Sequence, residues 1–230
     1  MRLILPSLLL ICITVRANTG TTVSCIAELS KYTSEAPAKG VTFDIVAEVT
    51  FPYTNSLNSF TVKDTSGSIS LSDERTDRRK TPVAAGDIVR VQGITDDTIY
   101  GVIYPGCRQL TKLSHKVPQP PTAVSALDFL NGKYDHQPVY IKGLIRDAFK
   151  DEIDPEVTFL ILSSNNQSIY VVFNSDEPDS MFFNRFVGAQ VAVEGLCRPT
   201  AHGTRRQIGR FIKAESINSI KILTPPASNP

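Results

Sequence analysis

The chain has 230 residues and carries 24 lysines and arginines against 23 aspartates and glutamates, a formal net charge of +1. That balance lacks the basic excess with which a strong binder of nucleic acid or of anionic membranes displaces counterions, so it argues against both partners. A chain of this length fits one large domain or two small ones, each burying a modest core.

At the amino terminus, Met1 and Arg2 precede an apolar run from Leu3 to Val15. The run is short for a bilayer span but suits the core of an export signal, with Val15 and Ala17 as small residues at the cleavage positions. Residues 1–17 are therefore expected to be removed, leaving 22 basic and 23 acidic residues in an exported, periplasmic or extracellular chain. No later stretch reaches the ~20 apolar residues of a membrane helix. Cys25, Cys107 and Cys197 remain. An odd number cannot pair fully within one chain, and the sequence is compatible with buried thiols or with one bridge. Cys197 with His202 supplies two metal ligands, short of a structural zinc site, and no cofactor is implied.

The octet GDIVRVQG at 86–93 returns as GAQVAVEG at 188–195. The likeness extends upstream, as a true internal repeat requires. Residues 23–29 echo 124–130 as short helical turns, and the apolar β-formers of 41–51 echo 137–149. Two hairpins follow, at 59–73 around Thr65-Ser66-Gly67 and at 158–174 around Ser164-Asn165-Asn166. After each hairpin comes a polar connector, which in the first half holds DERTDRRK (73–80), a pattern suited to a solvated helix face. The octet then forms a strand whose valines face a core, with Gly93 and Gly195 expected where that strand leaves the sheet. Five strands with a connector between the third and fourth is the plan of an OB-type barrel. The chain thus reads as all-β, two tandem five-stranded OB-like barrels, each with a short N-terminal helical segment, at 18–116 and 122–224. A Pro-rich linker at 117–121 joins them, and a Pro-rich tail at 225–230 closes the chain.

The runs GKYDHQPVYIKGLIRDAF (132–149), FVGAQVAVEGLCRPT (186–200) and GTRRQIGRFIKAESINSIKIL (203–223) resemble the tandem OB-like input modules that large bacterial sensor histidine kinases carry outside the membrane. The second repeat matches better than the first. The phosphoacceptor and ATP-binding segments of such kinases are not in this sequence, so the resemblance implies a detached recognition module without kinase activity.

On these grounds the expected function is non-catalytic recognition of a small ligand or an extracytoplasmic protein. The alternative is single-stranded nucleic-acid binding, which needs a basic groove interleaved with stacking aromatics. Candidate binding residues are Arg198, Arg205, Arg206 and Gln207 in the loop entering the last strand of the second barrel, with Phe159 and Tyr170 on its hairpin. The arginines suit either a carboxylate, phosphate or sugar-acid ligand, or a structural role paired with Asp147, Asp151 or Glu152. No H-E-x-x-H, G-x-S-x-G or P-loop spacing marks an enzyme. The acidic clusters at Asp154 and Glu156 and at Asp176, Glu177 and Asp179 read as solvated loops.

Overall fold

A computed structural model describes residues 22–52, 58–76, 82–98, 101–177, 180–202 and 206–226. Residues 1–17, read as an export signal, lie outside the described residues. Strands β1 (Thr42–Phe51), β2 (Ser59–Lys63), β3 (Ser68–Asp73), β4 (Asp87–Asp97) and β5 (Ile103–His115) close into a barrel in the order β1-β2-β3-β5-β4. The remaining strands are β6 (Thr122–Ala123), β7 (Pro138–Lys150), β8 (Val157–Ser164), β9 (Gln167–Asn174), β10 (Gln190–His202), β11 (Arg206–Lys213) and β12 (Ile220–Thr224). They form a seven-stranded sheet, β12-β10-β11-β9-β8-β7-β6, in which β10 also pairs with β7. That extra pairing brings β7 to β11 round into a second ring with the strand order of the first. Each ring has one parallel pair, β3 with β5 and β9 with β11.

The repeated octets supply β4 and the start of β10. Val89, Val91, Val191 and Val193 are fully buried. Arg90 points outward and grips Asp44 of β1 with two bonds, at 2.8 and 2.6 Å. Ala192 also points away from the core, yet it is buried between its register neighbours Lys142 and Lys221. The hairpin turn of the second ring is Asn165-Asn166, both at positive φ (49° and 61°), the pair of left-handed residues that suits the twist of a tight hairpin. Two short helices precede the rings, α1 (Ile26–Ser30) and α2 (Ala126–Leu130). The first buries Ile26 and Leu29, the second Ala126 and Phe129. Ser125 caps α2 by accepting from the Asp128 amide, whereas α1 has no such cap of its own. Asp64, from the β2–β3 turn, accepts the Ile26 amide at 2.8 Å instead.

Two expectations change. Gly93 and Gly195 do not mark the ends of their strands but sit inside β4 and β10. A Cβ on Gly93 would lie 1.9 Å from the Gly106 carbonyl oxygen, and one on Gly195 2.6 Å from that of Lys213, so the repeat keeps glycine because two backbones cross there. Within 73–80, Asp73 and Arg75 are no solvated helix face. Both side chains are 0% exposed and are joined by Nε to Oδ1 at 2.9 Å and Nη2 to Oδ2 at 3.0 Å. Glu74 is half-buried and meets Arg108 at 3.4 Å.

The buried apolar residues fall into two clusters, one per ring, with Cys107 in the first and Cys197 in the second. The three described cysteines are free thiols. The linker is tied to the first ring at its start, where the Lys116 amide donates to Gly86 at 2.9 Å and its ammonium meets Glu48 at 2.8 Å. Among the described residues, side-chain hydrogen bonds that join the rings include Ser70 Oγ to His136 Nδ1 at 2.9 Å and Arg198 Nη1 to Ser59 Oγ at 3.5 Å. With separate cores and polar contacts between them, residues 18–116 and 122–224 made as isolated pieces are each expected to unfold cooperatively in urea. A non-cooperative melt of both pieces would show one interdependent unit.

Candidate binding face

The second ring presents a face built by register. Phe149 of β7 stands opposite Phe159 of β8, and Ile161 of β8 opposite Tyr170 of β9, which in turn lies beside Phe211 of β11 and then Arg198 of β10. Residues in register share a face, and the intervening Leu160, Leu162, Val171 and Ile212 fill the core, so these side chains point outward. Phe149 and Phe159 stack with ring centres 5.3 Å apart, and Tyr170 meets Phe159 edge-on at 6.3 Å. Phe149 is 37% and Tyr170 48% exposed, so aromatic surface lies open to solvent. A parallel row passes from Phe159 through Val172 to Lys213. Lys213 is buried, with its ammonium donating to Asn174 Oδ1 at 2.7 Å. Burial and the nearby Arg198 charge bring its pKa down to about 8. An exposed Arg146 sits at the β7 bulge between Ile145 and Asp147.

The margin where Arg198 stands adjoins the first ring. There His136, in the left-handed region at φ 58°, is held by its amide to the Cys197 carbonyl at 2.8 Å and by its ring to Ser70. Burial, then the Arg198 guanidinium, push the His136 pKa down to about 4. Burial also lowers that of Arg198. Asp135 is gripped by Arg210 at 2.6 and 3.0 Å, and the same arginine donates to the Leu130 carbonyl at 2.7 Å. Burial, reinforced by the Asp135 carboxylate, raises the Cys197 thiol to about 12, so it is an inert donor to Asp135.

The His136 shift has a pH consequence. The folded chain keeps this ring neutral down to about pH 4, whereas the unfolded ring takes a proton near pH 6.5. The stability that depends on the neutral form is complete above that value and is lost as the pH falls from about 6.5 to about 4. His136→Gln is expected to remove this part of the pH dependence, read from urea midpoints across that range. A variant whose midpoint falls as steeply as the wild type's would contradict it.

The corresponding face of the first ring is not open. Thr61 points away from the first core, between buried Phe60 and Val62, yet is only 1% exposed, and its hydroxyl bonds Ser70 at 3.0 Å. Ser59 and Ser70, on the same face, are the residues that touch Arg198 and His136. The two rings thus differ in use, the first giving its β2–β3 surface to its neighbour and the second leaving β8–β9 free.

Of the residues singled out in the sequence, Phe159 and Tyr170 come together on this face and Arg198 stands at its edge. Arg198 is not in a loop, because β10 runs on to His202 and the β10–β11 ladder extends past it. Its described partner is Ser59, not Asp147, Asp151 or Glu152. Arg205 lies outside the described residues, and for Arg206 and Gln207 only the backbone, in β11, is described. Asp151 and Asp154 serve their own turn by accepting the amides of Ile153, Asp154 and Glu156. Among the described residues no group of three metal-binding side chains occurs. Phe149, Phe211, His136 and Arg210 were missed. Phe149 alone had a signal, its position in the strand that pairs with the hairpin carrying Phe159.

No family model matches the sequence, and no curated protein matches it significantly. Among solved structures, the chain is similar to the Ifi202 HINa domain in complex with 20-base-pair double-stranded DNA, at 12% identity and a TM-score of 0.38 over 78% of this chain and 99% of that one. It is similar to the second OB-fold domain of replication protein A from Methanococcus maripaludis, at 22% identity and a TM-score of 0.26 over 34% and 89%. It is similar also to asparaginyl-tRNA synthetase from Pyrococcus horikoshii, at 14% identity and a TM-score of 0.35 over 46% of this chain and 23% of that one. The expectation that nucleic acid is an unlikely partner is corrected here: the similar structures include a domain in complex with double-stranded DNA, and the net charge on which the expectation rested does not exclude such a partner. The physical fault in that expectation is averaging. A net charge near zero sums the acidic turns after β7 and β9 with the cations beside the aromatic face and so does not measure that face.

Proposed function

We propose that the chain is a non-catalytic tandem OB protein that binds single-stranded nucleic acid on the outer face of β8 and β9. The observation that carries this reading is the cluster of exposed Phe149 and Tyr170 with half-buried Phe159, joined by stacked and edge-on contacts at 5.3 and 6.3 Å. Any base has a π-face, so such a platform holds successive bases without reading their order. Arg146 on one side and Arg198 on the other supply cations for the phosphates. The face of strands two and three is also where OB barrels recognise oligonucleotides.

The test is titration of a fluorescently labelled 12-nucleotide oligo-dT at about 50 mM salt. Tyr170→Ala and Phe149→Ala are each expected to weaken binding by about 1 to 3 kcal/mol, roughly 5- to 150-fold. With few phosphate contacts available, log affinity should fall only shallowly with log salt. No binding at low salt, or binding untouched by either substitution, would remove the face from the function.

A further inference from the structure

The two rings enclose between them a cleft of about 470 Å³. This lies within the ~300–1,000 Å³ range of small-molecule sites. Its walls include Thr33, Ser34, Ser68, Tyr104, His136 and Arg198, with an apolar patch from Val102, Ile103 and Pro105. Arg198 is half-buried, and among the described residues its one hydrogen bond is the 3.5 Å contact to Ser59, with no carboxylate in ion-pair range. The one carboxylate lining the cleft, that of Asp135, is held by Arg210 through both oxygens. A desolvated guanidinium without an anion is costly, and a carboxylate placed against its fork relieves that cost. Thr33 and Ser34 both donate their hydroxyl protons to the Ser30 carbonyl, at 3.1 and 2.8 Å. Their oxygens are therefore left as acceptors, which suit hydroxyl donors on a ligand. His136 stays neutral at pH 7 and adds no second positive charge. A single fixed cation, acceptor hydroxyls and an apolar patch describe a ligand with one negative charge, several hydroxyls and a C–H face.

We propose that this cleft binds a small polyhydroxylated carboxylate of the sugar-acid class, with Arg198 forking the carboxylate and the Thr33 and Ser34 oxygens accepting ligand hydroxyls. Arg198 borders both sites but Tyr170 lies outside the cleft, so Tyr170→Ala tells the cleft from the nucleic-acid face. Calorimetric titration of the whole chain with D-glucuronate tests it, with D-glucose, acetate and glucose 1-phosphate as comparisons. Glucuronate is expected to bind at one site, at least ~10-fold more tightly than any of the three, because each lacks a hydroxyl array or the planar carboxylate. Arg198→Ala should weaken it by about 10- to 100-fold and Ser34→Ala by about 3- to 10-fold, with Tyr170→Ala unchanged. If Arg198→Ala fails to fold, Arg198→Lys keeps the charge but loses the fork and should still weaken binding by about 10-fold. Absence of binding at millimolar glucuronate, equal binding of acetate or glucose 1-phosphate, or wild-type affinity in Arg198→Lys would overturn the proposal.

Discussion

Replacement of Arg75 by Met is expected to lower the stability of the first barrel by about 3 to 5 kcal/mol. The Arg75 backbone amide, Nε and Nη2 all donate to the Asp73 carboxylate, at 3.0, 2.9 and 3.0 Å, and neither side chain is exposed. Removing the guanidinium takes two charge-assisted donors away from a buried carboxylate. Asp73→Asn combined with Arg75→Met should cost less than Arg75→Met alone, because both charges of the buried pair are then gone. Urea unfolding of the three variants measures this. A single variant within about 0.5 kcal/mol of wild type would mean that solvent reaches the pair.

Gly93→Ala is expected to destabilise the same barrel by about 3 kcal/mol or more. The added methyl would sit 1.9 Å from the Gly106 carbonyl oxygen and 2.5 Å from the Phe43 ring, and β4 shifts register against β5 between Gln92 and Gly93. Backbone cannot yield as a flexible side chain does. Gly195→Ala in β10 meets Ile212 and the Lys213 carbonyl at 2.6 Å each and should follow in kind. Gly209→Ala is the control, since its nearest neighbour would be Thr200 Oγ1 at 3.4 Å, an ordinary contact, and less than about 1 kcal/mol is expected there. Equal effects at 93 and 209 would contradict the crossing-backbone account of the repeat.

The strands themselves were legible because alternation and repetition leave direct traces. Val89 and Val91 match Val191 and Val193 in spacing, and all four are core. Both hairpins likewise followed from their turn residues. What the repeat concealed is that glycine at its last position serves a crossing rather than an exit, since two backbones in contact leave no pattern in one strand. Asp73 and Arg75 were hidden for a related reason. Their charges look solvated until the β2–β3–β5 geometry closes over them. At the candidate site, Phe159 and Tyr170 were visible as aromatics on a hairpin, but only the pairing of Phe149 with Phe159 and of Phe211 with Tyr170 turns them into a surface. The covering of the first ring's face by His136 and Arg198 joins residues 66 and 139 positions apart, and no local signal announces it.

That asymmetry between the rings is the centre of the account, and residue-resolved NMR of the chain titrated with oligo-dT tests it most directly. Amide shifts are predicted to concentrate at Phe149, Phe159, Tyr170 and Phe211, while Ser59, Thr61 and Ser70 of the first ring stay in place. Shifts centred on β2 and β3, or spread evenly over both rings, would contradict it.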